Sequence, residues 1–150
     1  MAKEGADIAF IYLNEDEDAE ITKEHVEVEG RRCIAIKGDI GKKSFCEEAV
    51  SRTVSELGGL NILANIAGEQ HADSEIEEIS EEQLRRTFDT NVFGTFFLTQ
   101  AAMPHLKEGD SIPVFAALDE QVKADEKAAE KTAAKAKKAE STEKKPKLAS

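Results

Sequence analysis

The chain predicts an α/β fold built on a parallel sheet, on three observations. Short continuous apolar runs alternate with stretches of helical periodicity, the order expected of successive strand–helix–strand units. The apolar runs lack a regular polar alternation, as strands buried on both faces do. Glycines close the periodic stretches at Gly30 and at Gly58-Gly59, where helix C-caps place them.

The first run, "ADIAFIYL" (6–13), predicts a buried strand. The acidic cluster "NEDEDAE" follows, and its carboxylates suit a helix N-terminus. A helix is expected from Ala19 to Glu29, stopped by Gly30. "RCIAIKGDI" (32–40) reads as the second strand, and "KKSFCEEAVSRTVSELGG" as a helix with Phe45, Ala49, Val50, Val54 and Leu57 on one side. "LNILANIAG" (60–68) reads as a third strand, and residues 69–79 as a polar, acidic loop. Ser80 and Gln83 stand in capping-box positions. The helix they open should run to about Leu106, with Leu84, Phe88, Val92, Phe96 and Met103 at helical spacing on the inward face. "DSIPVFAAL" (110–118) predicts a fourth strand.

After Leu118 the composition changes to Ala, Lys and Glu, with Val122 and Leu148 as the only large aliphatic residues. Such a segment has no face to bury, so residues 1–118 are expected to form the domain and 119–150 a disordered or loosely helical tail. Charge divides the same way: residues 1–118 hold 11 Lys and Arg against 24 Asp and Glu, whereas 119–150 hold nine against seven. An acidic body repels phosphate backbones and excludes nucleic acid as a natural partner. No apolar run approaches the ~18 residues of a membrane helix, and the first twenty residues are too acidic for a signal peptide. Cys33 and Cys46 match no zinc spacing and read as reduced thiols, so a cytoplasmic protein is expected.

Ligands of parallel α/β sheets bind beyond the carboxyl ends of the strands. That rule selects the residues after Leu13, the pair Asp39-Ile40, and the segment Asn65–Gly68. Asp39 could accept a hydrogen bond from a nucleotide base amine or could cap its own loop, and the residues alone favour neither. Asn91, set among Phe88, Val92 and Thr95, could bond backbone and shape its helix or hold a water in a proton path. The three histidines show no metal spacing, and the 69–82 region lacks the ligand-and-glycine alternation of a calcium loop.

The segments "AKEGADIAFIYLNEDEDAE", "GDI" (38–40), "LNILANIAG" and "NVFGTFFLTQAAMPHLKEGDSI", in this order, resemble the short-chain dehydrogenase/reductase family, in detail its bacterial general-stress and glucose-dehydrogenase-like members. The resemblance covers roughly residues 2–112. It implies a partial Rossmann-like sheet and an NAD(P)-dependent oxidoreductase that moves a hydride between nicotinamide and a small alcohol or carbonyl. By that likeness Asp39 and Ile40 would contact the adenine of NAD or NADP. Asn65, Ala67 and Gly68 match the motif that lets the cofactor lie close, with Ile66 where a second Asn is usual. Asn91 matches the catalytic helix Asn, which raises its water-relay reading. Family members choose NAD with an acidic residue, or NADP with a basic one, at the end of their second strand; Tyr12, Leu13 and Asn14 supply neither.

The same comparison marks departures. The family's first strand and Gly-rich turn would precede Met1, so the central strand of a 3-2-1-4-5 sheet is expected to be missing. The catalytic Ser position falls on Ala117, Pro113 interrupts the strand before it, and no Tyr-x-x-x-Lys pair is present; Tyr12 is the only tyrosine. The chain is therefore expected to be inactive as it stands. The alternatives are a truncated or frame-shifted fragment, or an interaction protein using the long helix 81–106, which in the family packs subunits together.

Overall fold

The computed structural model describes residues 1–70 and 75–114. Strands β1 (Ile8–Tyr12) and β2 (Cys33–Lys37) pair in parallel, Ile8 opposite Cys33 and Tyr12 opposite Lys37. Helix α1 (Asp16–Val28) makes the crossover between them. It starts three residues before the expected Ala19, because Asp16, Glu17 and Asp18 form its first turn, where the helix dipole favours carboxylates. Gly30 ends it at φ 73°, the left-handed conformation that glycine adopts without strain. Arg32 then fixes the return. Its Nε donates to Asp7 at 2.8 Å, and its terminal nitrogens donate to the carbonyls of Glu56 and Leu57 at 3.0 and 2.8 Å.

Helix α2 (Lys43–Leu57) follows the expected span and buries Cys46, Ala49, Val50 and Thr53. Ala49 packs with Ile34 and Ile36 of β2, while Cys46 and Val50 pack with Ile40 and Leu98. Cys46 has no exposed surface, and its Sγ donates to the Ile40 carbonyl at 3.1 Å. Burial pushes its thiol up to about 11. Because the folded value lies above the unfolded one, the buried neutral thiol contributes stability that is full below pH 9 and lost as pH rises toward 11. Native protein at pH 8 is expected to leave Cys46 unlabelled by a thiol-specific reagent until urea unfolds it, a result mass spectrometry would read directly.

The helix expected over 81–106 is one continuous helical run of four parts. Helix α3 (Glu81–Phe88) leads into a π-helical stretch, Asp89–Gly94, then α4 (Thr95–Ala102) and a short 3-10 turn at Met103–His105. The Ser80 hydroxyl accepts the Gln83 N–H at 3.1 Å, as the capping position requires. The inward face is not the expected one. Leu84, Phe88, Val92, Phe96 and Met103 are all exposed, whereas Gly94, Leu98 and Ala102 are buried. Small residues win the inward side because they let the helix axis come close: a Cβ on Gly94 would lie 2.7 Å from the Ile40 side chain.

The sheet also differs from expectation. Residues 60–68 and 110–114 form no strands; they meet only at isolated parallel bridges, Ile62 with Ser111 and Asn65 with Val114. Pro113 has no N–H to donate, which interrupts the ladder between them, although its carbonyl accepts the Asn65 N–H at 3.0 Å. β1 is half-buried throughout rather than enclosed on both faces, because it borders a cleft. The expected strand beyond Val114, Ala117, the boundary at 118 and the 119–150 tail lie outside the described residues.

Candidate functional site

A cleft of about 710 Å³ opens between β1 and the segment 60–67. Ile8 to Ile11, Val50, Leu57 and Leu63 line it, and one end, its mouth, lies at the carboxyl ends of β1 and β2. There the fold gathers Leu13, Asp39, Ile40, Asn65 and Ala67 on one lining. Asn14 and Gly68, selected by the same rule, stand outside that lining.

The residues of the mouth differ in how they are held. Asp39 follows the end of β2, and its Oδ1 accepts the Gly41 N–H at 2.9 Å, a bond that caps its own turn. That bond uses one carboxylate oxygen and leaves lone pairs on the other. Ile40 is buried under Gly94 and forms an apolar floor. Asn65 is only 6% exposed, and its amide nitrogen donates to the Thr99 hydroxyl at a long 3.4 Å. Its Oδ1 is buried and has no partner among the described residues. A buried acceptor without a donor costs roughly 1–3 kcal/mol, so this oxygen favours any ligand that brings one. Ile66, Ala67 and Gly68 are exposed beyond it. The arrangement suits a flat, weakly polar molecule whose edge carries hydrogen-bond donors.

Asn91 is exposed, not set on an inward face. It sits in the π-helical stretch, where such distortions often mark special geometry. Its Oδ1 accepts the Glu69 N–H at 2.7 Å, and its Nδ2 donates to the Glu69 carbonyl at 2.9 Å. Both ends of the amide therefore hold backbone, clamping the chain just after Gly68.

Spacing along the chain does not reveal a cluster beside the mouth. Because Tyr12 and Lys37 are opposite one another in the ladder, the Lys37 ammonium lies 6.0 Å from the Tyr12 ring centre. Asp16 takes both groups. Lys37 Nζ lies 2.8 Å from Asp16 Oδ1 and 2.5 Å from Oδ2, holding that carboxyl below its usual range. Burial, then the Asp16 hydrogen bond, raises the Tyr12 phenol. The Lys37 charge acts to lower the phenol, but burial and Asp16 outweigh it. The sequence signal for this cluster was the equal length and parallel order of two neighbouring strands. Among the described residues no group of three His, Cys, Asp or Glu could hold a metal, and no helix is long and apolar enough to cross a membrane.

The short chain dehydrogenase family model matches residues 1–115. General stress protein 39 of Bacillus subtilis is 57% identical over 111 residues, covering 74% of this chain and 39% of its own length. An NADPH-dependent aldehyde reductase of Arabidopsis thaliana chloroplasts is 43% identical over 118 residues, covering 75% and 41%. Among solved structures, a short-chain dehydrogenase from Burkholderia cenocepacia in complex with NADP superposes with a TM-score of 0.73 at 35% identity, over 75% of this chain and 46% of that one. The chain thus spans about two-fifths of the length of these curated relatives.

Proposed function

Because the chain belongs to the short-chain dehydrogenase family, we propose that its cleft mouth receives the adenosine end of NAD or NADP. The observation that supports this most is the buried, unpartnered Oδ1 of Asn65 beside an apolar floor and a half-used Asp39 carboxylate. Adenine is flat and carries an exocyclic amine, and Ile40 and Leu13 offer it apolar surface. The free oxygen of Asp39 accepts from the amine. The structural neighbour in complex with NADP and the relative described as NADPH-dependent support a dinucleotide of this class.

The fit extends only part of the way along the cofactor. The one basic side chain on the cleft lining, Arg31, lies at the other end of β1, with its guanidinium 2.6 Å from Asp7. No Lys or Arg among the described residues lines the mouth, and Lys37 beside it is taken up by Asp16. Bound nicotinamide would supply the hydride chemistry in the intact reaction, oxidation of an alcohol or reduction of a carbonyl. This chain's own residues hold adenosine; with Tyr12 engaged by Asp16, turnover by the isolated chain is not expected.

Calorimetry with 5′-AMP, NAD and NADP tests this. All three should bind saturably, and Asp39→Asn should weaken 5′-AMP about tenfold. That variant keeps an oxygen for Gly41 but turns a donor toward the base amine, at the cost of one charged hydrogen bond. Equal affinity of the variant, or no binding at all, would remove adenosine from the site. A second reading rests on the exposed stripe Leu84, Phe88, Val92 and Phe96. We propose that it packs against another subunit, so sedimentation should show an oligomer that Phe96→Glu dissociates.

A further inference from the structure

The two banks of the cleft mouth are fastened to one helical stretch, residues 86–94. On one bank, Ile40 packs against Gly94. Gly41 stands so near Asp89 that an added Cβ would lie 3.1 Å from the Asp89 Cβ. On the other bank, Ile66, Ala67 and Gly68 are exposed and lie between two anchors. The first is the Asn65 N–H, which donates to the Pro113 carbonyl at 3.0 Å. The second is Glu69, whose backbone is clamped by the Asn91 amide.

The Glu69 side chain adds a grip of its own. It is only 17% exposed, and its Oε1 and Oε2 lie 2.9 and 3.2 Å from Arg86 Nε. The Thr90 hydroxyl donates to Oε2 at 3.4 Å, and Thr90 also lines the cleft. Arg86 and Thr90 stand four residues apart, neighbours on one helix face, so a single carboxylate ties two successive turns. With Arg86 62% exposed, such an ion pair contributes little to stability. Its effect is on placement.

We propose that Glu69 is a positioning residue of the adenosine site. Latched to Arg86 and Thr90, it holds Ala67 and Gly68 at a set distance from Asp39 and Ile40. This role rests on the adenosine reading. Both banks hang on the same helical run, so the gap between them is fixed by that run. Without the latch, the Asn91 clamp still holds the backbone of residue 69, but the segment can pivot about those two bonds. A flat base touched from both banks then loses contact, because dispersion attraction falls steeply within about 1 Å.

Calorimetry with 5′-AMP and with uncharged adenosine tests the latch in Glu69→Ala, Arg86→Ala and Glu69→Gln. Each alanine variant should weaken both probes about fivefold, and the double variant no further, because either change opens the same latch. Glu69→Gln keeps an acceptor for Arg86 and Thr90 and should recover most of the affinity. Melting temperatures should stay within a few degrees of wild type. Hydrogen exchange at the Glu69 amide should quicken in both alanine variants even without nucleotide. Wild-type affinity in Glu69→Ala would overturn the latch and leave the adenosine reading standing, whereas a wild-type chain that binds neither probe would remove both. A change in 5′-AMP affinity without one for adenosine would also overturn the latch, since the carboxylate would then act only by its charge on the phosphate. Losses that add in the double variant would overturn it too.

Discussion

Truncating Leu98 to alanine is expected to lower the free energy of unfolding by about 3 kcal/mol, within the range for buried leucines. Leu98 is 7% exposed and meets Ile40, Cys46 and Val50 in one buried cluster. It is the only large buried side chain of α4, with Phe97 and Ala101 packed partly buried against the same cluster. The space left there adds to the cleft that Leu98 lines, because the neighbouring inward positions, Gly94 and Ala102, carry too little side chain to fill it. Urea denaturation followed by circular dichroism measures the change. Phe96→Ala, two residues away but 58% exposed, serves as the comparison and should shift stability by less than about 0.5 kcal/mol in the monomer. A Leu98→Ala variant as stable as Phe96→Ala would mean that α4 does not pack as described.

Gly94→Ala brings two opposed effects whose sizes decide the result. Alanine is favoured over glycine inside a helix by ~1 kcal/mol. Its Cβ, however, would stand 2.7 Å from Cγ1 and Cδ1 of Ile40 and 3.3 Å from the Asp89 carbonyl oxygen. Ile40 is packed against Cys46, Val50 and Leu98, so the overpacking cost of ~3 kcal/mol exceeds the propensity gain and leaves a net loss of about 2 kcal/mol. The variant also displaces the floor of the cleft mouth, so 5′-AMP affinity should fall with stability. A thermal melt and a nucleotide titration on the same sample separate these effects. A stabilised Gly94→Ala protein would show that the helix does not approach Ile40 closely.

What the sequence made legible was chiefly local. The boundaries of α2, the Ser80 cap and the left-handed stops at Gly30 and Gly58 follow from residue types at fixed offsets, and the structure has them. In the 81–105 run, periodicity reveals that a face is apolar, not which face meets the core. Gly94 and Ala102 leave no periodic apolar signal, yet they set the approach. The run 60–68 has the composition of a strand, but a strand exists only in its ladder, and that partner is non-local. Of the site residues, Leu13, Asp39, Ile40, Asn65 and Ala67 were brought to one cleft as the strand-end rule implies. The joining of Tyr12, Asp16 and Lys37 depends on cross-strand register, which no spacing within one segment encodes.

The most direct test of the adenosine site is to titrate 5′-AMP into the isotopically labelled chain and follow backbone amide resonances. Shifts concentrated at Leu13, Asp39, Ile40, Asn65 and Ala67, and reduced in Asp39→Asn, are the expected result. Shifts confined to the 81–105 helical run, or unchanged spectra at saturating nucleotide, would contradict it.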